Sequence, residues 1–181
     1  MSLVYITGIP GVGKSTVRLE LSKRGYEAHD TDEDDFRCWR EVASGTFMPE
    51  ITTTWPEASA DFKKLHSMDL RPEKVAALAE RAAHKLIFLC GAVPNDRDVW
   101  HYFDSVVCLA VDNPTMQHRI TTRTNNSYGK DPSEMADLLV WNLDTANNYK
   151  KLGATIVDAS QPLDKVVDDV IASVEAYAAN S

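Results

Sequence analysis

Short runs of apolar residues recur along the chain, separated by longer stretches in which apolar positions fall three or four residues apart. The runs predict buried strands, and the longer spacing predicts amphipathic helices. The predicted strands cover residues 4–7, 26–29, 86–90, 106–111 and 155–157. The predicted helices cover residues 14–23, 33–42, 72–83, 114–123, 132–151 and 163–178. This alternation predicts an α/β fold of three layers, with a parallel sheet covered by helices on both faces.

One stretch interrupts the alternation. Between residues 44 and 56 the chain carries Gly45, Pro49 and Pro56, which oppose a long helix, so we predict irregular structure there. Residues 42–70 are therefore expected to be an insertion or a small subdomain. A chain of 181 residues otherwise predicts a single domain.

Charge and composition narrow the classes of function. The chain has 19 Lys and Arg against 27 Asp and Glu, a net charge of −8, and no visible basic stripe, so nucleic acid is an unfavoured partner. No apolar run reaches the roughly 18 residues of a membrane span, and residues 1–7 lack the features of a secretory signal. Three cysteines without metal-ligand spacing predict reduced thiols and a cytoplasmic protein.

The strongest motif is GIPGVGKS at residues 8–15, which fits the phosphate-loop pattern G-x-x-x-x-G-K-[ST] without a mismatch. Glycines let successive backbone N–H groups point at an anion, and the following helix adds its positive end. A glycine-rich turn without a ligand is the alternative, but a predicted strand precedes the motif and a predicted helix follows it. The expected nucleotide-binding residues are Gly8, Pro10, Gly11, Val12, Gly13, Lys14, Ser15 and Thr16.

Other proteins with this loop need further residues that are missing here. A motor ATPase of the AAA type needs a strand that ends in an acidic pair, whereas the third predicted strand ends in Cys90 and Gly91. A regulatory GTPase needs the guanine-binding pattern N-K-x-D, which the sequence lacks. Both observations disfavour those classes.

Carboxylates follow the second predicted strand instead. Asp30 and Asp32 stand two residues apart, so they point the same way in an extended segment. Because the carboxyl ends of parallel strands share one edge, both are expected beside the phosphate loop. One carboxylate could hold Mg²⁺ and the other could accept a proton from an attacking hydroxyl. The alternative is an acidic helix start that matches the helix dipole.

Two arginines precede a polar loop. Arg119 and Arg123 are four residues apart, which predicts that they share one face of a helix, and residues 124–131 have the composition of a lid. Arginines held over a transferring phosphoryl group stabilise its charge. In the alternative, they are ordinary surface residues of an amphipathic helix.

At these residues the chain resembles the small P-loop kinases, the group of the shikimate, gluconate and adenylate kinases. The resemblance rests on the phosphate loop, the DTD at residues 30–32, the R-x-x-x-R at residues 119–123 and the VDAS at residues 157–160. It implies a five-stranded sheet in the order 2-3-1-4-5, a substrate-binding subdomain at about residues 33–70 and a lid at about residues 119–135.

The resemblance also implies site residues. Arg119 would contact adenine and Arg123 the transferred phosphate, Asp32 with Ser15 would lie near Mg²⁺, and the adenine loop would contain Asp158, Ala159 and Pro162. Lys14, Asp30, Asp32, Arg119 and Arg123 are then the expected catalytic residues. Candidate acceptor contacts are Asp32, Arg37, Arg40, Gly91 and Asn95, together with Trp39 and Arg97.

The predicted function is an ATP-dependent, Mg²⁺-requiring phosphotransferase that acts on a small acceptor, through either a hydroxyl or a monophosphate. The predicted enzyme acts as a monomer or a homodimer, without a membrane partner. Two alternatives stay open: a nucleotide sensor with little transfer, and a kinase of polynucleotide ends.

Overall fold

The computed structural model describes residues 2–33, 35–54, 57–124 and 126–180, with side chains to residue 175. The strands are β1 (Leu3–Thr7), β2 (Glu27–Asp30), β3 (Arg37–Glu41), β4 (Phe47–Met48), β5 (His66–Leu70), β6 (Ile87–Cys90), β7 (Ser105–Ala110) and β8 (Thr155–Asp158). The helices are α1 (Lys14–Lys23), α2 (Ala60–Leu65), α3 (Pro72–Ala82), α4 (Asp96–Val99), α5 (Asn113–Thr122), α6 (Pro132–Lys151) and α7 (Leu163–Asn180), with a 3-10 turn at Trp100–Tyr102.

The main sheet is parallel and has the order β2-β6-β1-β7-β8. In this sheet Tyr5 of β1 lies between Leu89 of β6 and Val106 of β7. Numbered within the sheet alone, the order is 2-3-1-4-5, so the predicted fold class is confirmed. The central strand β1 leads directly into the phosphate loop, which places that loop in the middle of the sheet edge.

Alternating side chains of β1 enter two separate cores. Val4 and Ile6 pack in a cluster that includes buried residues of α1, α5, α6 and α7. Leu3 and Tyr5 point to the other face, where they join Leu78 of α3. All five side chains are buried, and each aliphatic one stabilises the fold by about 1.5–3 kcal/mol. Helices therefore cover both faces of the sheet, as predicted.

A second, antiparallel sheet with the order β4-β3-β5 occupies the interrupted stretch. Trp39 of β3 is fully buried in it, opposite Met68 of β5. The indole N–H of Trp39 donates to Thr53 O at 2.6 Å, and the ring meets Phe62 edge-on, with 4.9 Å between centroids. Trp39 therefore forms the packing centre of this small sheet and is not an acceptor contact.

The predicted helix over residues 33–42 is wrong. Asp35 has a φ of 57°, in the left-handed region, and this turn prevents a helix from continuing through it. Residues 37–41 then form β3, because strand pairing with β5 buries Cys38 and Trp39. The irregular stretch predicted at residues 44–56 contains the two-residue strand β4, while Trp55 and Pro56 lie outside the described residues.

The other predicted elements agree with the structure within two residues at each end. One cap differs: Asp112, and not Asn113, caps α5, since its carboxylate accepts the N–H of Thr115 at 2.8 Å. Over the residues described, no helix is long and apolar enough to cross a membrane.

Candidate active site

A cleft of about 980 Å³ lies at the carboxyl ends of β1, β2 and β6. Most of the residues predicted from the sequence line it. They are residues 8–16, Asp30, Asp32, Arg37, Gly91, Arg119, Arg123 and Ala159. The fold thus brings the phosphate loop, the two carboxylates and the two arginines to one site.

The phosphate loop is held by a close backbone approach. Gly8 has a φ of 135°, and a Cβ at this position would lie 2.5 Å from Leu109 O on the neighbouring strand β7. Only glycine fits both the conformation and the space. The loop therefore starts in direct contact with the sheet, which orients the residues that follow.

The Lys14 ammonium lies inside the loop. It donates to Gly8 O at 2.7 Å and to Ile9 O at 3.1 Å. Burial lowers the pKa of Lys14 to about 8, although the carboxylates of Asp32 and Asp30 oppose the shift. Lys14 is therefore a desolvated cation placed where an anion would restore its full charge.

The two predicted carboxylates have different neighbours. Asp30 Oδ2 accepts the Ser15 hydroxyl at 3.4 Å, and its Oδ1 accepts the Asp32 backbone N–H at 3.0 Å. Asp32 Oδ1 instead forms an ion pair with Arg37 Nη2 at 2.5 Å. Asp30 thus faces the end of the phosphate loop, and Asp32 faces the second sheet.

Arg119 connects two loops of the cleft. Its Nη1 donates to Val12 O at 3.0 Å, and its Nη2 donates to Ala159 O at 2.9 Å. The first oxygen belongs to the phosphate loop and the second to the loop after β8. One guanidinium therefore holds both loops at a fixed separation.

Arg123 organises the loop that follows α5. Its Nη2 donates to Tyr128 O at 2.5 Å and its Nε to Asn126 O at 3.2 Å, while Lys130 Nζ donates to Arg123 O at 2.6 Å. Burial lowers the pKa of Arg123. Asn125, in the middle of the loop, lies outside the described residues.

Arg119 and Arg123 do not share a helix face, which corrects the sequence-based prediction. Helix α5 ends at Thr122, and Arg123 is extended, with a ψ of 147°. Both side chains nevertheless line the cleft. They reach it by different routes, one from the last turn of a helix and one from the loop.

Besides Trp39, three candidate acceptor contacts lie outside the cleft lining, namely Arg40, Asn95 and Arg97. Arg40 donates to Asp69 at 3.2 Å, to Asp98 at 3.4 Å and to Gly45 O at 3.1 Å, so it ties the second sheet to α4. The buried Asn95 amide clamps the end of β5: its Oδ1 accepts Leu70 N at 2.8 Å and its Nδ2 donates to Leu70 O at 2.9 Å. Both are structural residues here, and the exposed Arg97 does not line the cleft either.

The loop after β8 contributes different residues than expected. Asp158 accepts the backbone N–H of Ser160 at 2.9 Å and its hydroxyl at 2.6 Å, so its carboxylate stabilises the turn. Neither Asp158 nor Pro162 lines the cleft. Ala159, Gln161 and Leu163 do.

Helix α6 supplies a wall of the cleft that the sequence analysis missed. Trp141, Thr145 and Tyr149 line the cleft, and their spacing of four residues places them along one face of the helix. The Tyr149 hydroxyl donates to the buried Asp96 carboxylate and lies 3.4 Å from Thr7 Oγ1. Burial raises the pKa of both Asp96 and Tyr149. The repeat of four was the available signal, but the same repeat also fits core packing.

The part of the chain that is described contains no group of three or more His, Cys, Asp or Glu side chains that could hold a metal ion together. The site does offer oxygen donors at the end of the phosphate loop, since Ser15 Oγ and Asp30 Oδ2 are 3.4 Å apart. Hydroxyl and carboxylate oxygens are the ligands that Mg²⁺ takes, alongside water and phosphate oxygens. These residues therefore fit Mg²⁺.

Comparison with known proteins agrees with this geometry. The sequence pattern of the family described as AAA domain matches residues 4–142, which include the phosphate loop, both carboxylates and both arginines. A comparison with curated proteins finds no match.

Three solved structures share the fold. A gluconokinase from Sinorhizobium meliloti 1021 has 21% identity and a TM-score of 0.57, with 98% of this chain and 93% of that chain covered. A shikimate kinase from Aquifex aeolicus vf5 has 21% identity and a TM-score of 0.58, with 97% and 98% covered. A shikimate kinase from Bacteroides thetaiotaomicron has 14% identity and a TM-score of 0.59, with 96% and 98% covered. The resemblance noted from the motifs therefore extends over almost the whole chain as a likeness of fold.

Proposed function

The chain belongs to the family described as AAA domain, and on that premise we propose that it is an ATP-dependent kinase of a small-molecule acceptor. The observation that carries this proposal is that one cleft joins the phosphate loop to the carboxylates Asp30 and Asp32. A phosphate cradle alone would suit any nucleotide-binding protein. Carboxylates beside it add a proton acceptor, which phosphoryl transfer to a hydroxyl uses.

Hydrolysis of the kind that drives a motor is the less favoured activity for this family member. Strand β6 is followed by Gly91, Ala92 and Val93, so no carboxylate stands directly at its end to position a water molecule, and Asp96 further along is hydrogen-bonded to the Tyr149 hydroxyl. The carboxylates of this site follow β2 instead, and Asp32 lies toward the second sheet. That arrangement suits an acceptor molecule more than a single water.

In the proposed reaction the backbone N–H groups of residues 8–16 bind the phosphates, and Lys14 neutralises charge on the β- and γ-phosphates. The acceptor oxygen bonds to the γ-phosphorus as the bond from that phosphorus to the β–γ bridging oxygen breaks. Asp32 takes the acceptor's proton, because it faces the second sheet and Arg37 orients it. Arg123 provides positive charge above the transferring group.

Ser15 and Asp30 are the residues that would hold Mg²⁺. Their oxygens are 3.4 Å apart, whereas Asp32 is paired with Arg37, so we assign Asp30 to the metal shell in place of Asp32. The ion would supply charge neutralisation and alignment of the phosphates.

We further propose that the whole chain is one kinase domain with two accessory parts. Residues 33–70 would bind the acceptor, because Arg37 and Met68 of the second sheet line the cleft. Residues 119–135 would form the lid, because Arg123, Asn126 and Tyr128 line the cleft from the other side. Lid closure would exclude water and so favour transfer over hydrolysis.

The test is ADP release by purified protein with Mg²⁺, ATP and a panel of acceptors. Lys14→Ala should reduce acceptor-stimulated ADP release by about 100-fold or more, because it removes charge from the transferring phosphate. Lys23→Ala removes an exposed lysine from the same helix and should have no effect. If Lys14→Ala retains normal turnover, or if wild-type protein does not bind ATP, the proposal is wrong.

A further inference from the structure

We propose that the acceptor is an electrically neutral ring compound with hydroxyl groups, bound against the face of α6 formed by Trp141, Thr145 and Tyr149. The inference rests on the proposed kinase function and names the chemical class of its acceptor. Nucleosides, hexoses and cyclic polyols share this chemistry. Nucleoside monophosphates and sugar acids do not.

The first argument is that most positively charged side chains of the cleft already contact other parts of the protein. Among the described residues, the cations that line the cleft are Lys14, Arg37, Arg119 and Arg123. Lys14 lies within the phosphate loop, and Arg119 bridges that loop to the loop after β8. Arg123 is bonded to the carbonyls of the lid. Only Arg37 is left for the acceptor side.

Arg37 is already partnered by a carboxylate. Its Nη2 lies 2.5 Å from Asp32 Oδ1, so an anionic acceptor would have to displace Asp32 to use the guanidinium fork. The Arg37 Nε atom is buried and has no hydrogen-bond partner among the described residues. A single N–H donor suits one hydroxyl or carbonyl oxygen of a neutral molecule.

The second argument is the apolar character of the remaining wall. Met68, Val93 and Pro94 line the cleft together with the α6 face. Trp141 is 54% exposed although it lies on the cleft wall, which leaves a large aromatic surface open to a ligand. Tyr149 is fixed by its hydrogen bond to Asp96, so its ring is held in place. A flat or cyclic molecule that packs on these rings would cover apolar surface that is now in water.

The third argument concerns the hydroxyl groups. The carboxylate of Asp32, which faces the acceptor side, can only accept hydrogen bonds when ionised, so it matches an O–H donor of a ribose or polyol. Because Arg37 is already ion-paired with Asp32, the described residues on this side of the cleft offer no further cation to offset the charge of a phosphate or carboxylate group. Aromatic surface on one side and hydrogen-bond acceptors on the other together select a neutral hydroxylated ring.

The experiment compares matched pairs of acceptors in the ADP-release assay. Each pair differs by one anionic group: nucleoside against nucleoside 5′-monophosphate, and hexose or cyclic polyol against the corresponding sugar acid. We expect at least one neutral member to stimulate ADP release at least 10-fold more than its anionic partner. The pair that responds distinguishes a nucleoside from a sugar or polyol.

Variants test the proposed wall. Trp141→Ala should raise KM for the active acceptor about 10-fold while kcat and the KM for ATP change less than 2-fold. Val140→Ala alters the neighbouring exposed residue, which is outside the cleft lining, and should change none of the three constants. Equal effects of the two substitutions on acceptor KM would overturn the assignment of this wall.

The remaining outcomes separate the two proposals. Stimulation by anionic members alone overturns the inference and leaves the kinase function standing. If calorimetry shows that the protein binds ATP but no neutral compound of any pair stimulates ADP release, the inference is also overturned. Absence of ATP binding overturns the kinase function itself.

Discussion

Gly91 and Thr31 are in such close contact that a Cβ on Gly91 would lie 1.9 Å from Thr31 Oγ1 and 2.4 Å from Thr31 Cγ2. Thr31 is buried and stands between Asp30 and Asp32. The packing of one glycine after β6 therefore determines the position of both carboxylates.

This contact predicts the effect of Gly91→Ala. The added methyl group must push Thr31 away, so we expect a loss of about 2 kcal/mol in the free energy of unfolding and a clear fall in kcat/KM. Thr31→Ala in the same chain should restore part of both, because it removes the two nearest atoms and leaves Thr31 Cβ at 2.6 Å. Urea unfolding and steady-state kinetics of the double-mutant cycle measure the coupling. Additive effects of the two substitutions would contradict direct contact.

The lowered pKa of Lys14 leads us to expect that nucleotide binding depends on pH. Burial lowers the pKa of Lys14 to about 8, and bound phosphates favour its charged form. The free protein is thus half protonated at Lys14 at pH 8, and we expect uptake of roughly 0.5 proton per ATP there. Affinity should be constant below this pH and fall above it.

The proton uptake is measured by calorimetry in buffers with different ionisation enthalpies. The internal control is the same titration at pH 6.5, where Lys14 is already charged and should take up almost no proton. An ATP affinity that rises between pH 8 and pH 9 would show that the sign of the argument is wrong.

From the position of Arg119 we expect its substitution to change the KM for ATP but not the KM for the acceptor. Because it bridges Val12 O and Ala159 O with two different nitrogens, lysine cannot replace it. We expect Arg119→Lys to raise the KM for ATP about 10-fold and to leave acceptor KM within 2-fold. Arg97→Lys, at an exposed position, is the matched control. A change in the KM for the acceptor without a change in the KM for ATP would contradict the assignment of Arg119 to the nucleotide side of the cleft.

Glu27 predicts how stability depends on pH. Burial alone would raise the pKa of Glu27, but hydrogen bonds from Lys85 and His29 and the charge of Arg81 outweigh it and lower the pKa to about 2. A carboxylate with a depressed pKa stabilises the fold above about pH 4.5 and loses this contribution as the pH falls toward 2. Glu27→Gln should therefore cost about 2 kcal/mol at pH 7 and little near pH 2.

Urea unfolding of wild type, Glu27→Gln and Glu80→Gln at pH 7, 4 and 3 tests this. Glu80 is an exposed carboxylate on α3, the helix that carries Arg81, and its substitution should have no effect at any of these values. A cost of Glu27→Gln that stays constant down to pH 3 would contradict the assigned pKa.

The main sheet and the phosphate loop could be predicted from the sequence because their signals are local. A glycine that must adopt a φ of 135°, such as Gly8, is recognisable from the motif that contains it. The same holds for helix α1, whose ends at Lys14 and Lys23 follow from its flanking glycines. These elements need no knowledge of distant contacts.

The second sheet and the wall of the cleft formed by α6 could not be predicted, since their signals depend on partners far along the chain. Strand β3 forms because it pairs with β5, and Trp39 meets Met68 across 29 positions of sequence. Asn95 carries the polar groups of a ligand contact, yet both of its amide atoms bond to Leu70. Trp141 has the spacing of a core residue, and only its exposed position on the cleft wall distinguishes it.

The bridge made by Arg119 has a consequence for how the protein responds to nucleotide. Since its two hydrogen bonds hold the loops on either side at constant spacing, the triphosphate side of the cleft needs little rearrangement when it fills. Nucleotide addition should accordingly slow amide exchange at the N–H groups of residues 8–16, which bind the phosphates directly, while slowing that reports a change of conformation should appear in residues 123–131. The carboxyl edge of the main sheet would then keep its conformation when nucleotide binds. The conformational entropy lost on binding would come from residues 123–131.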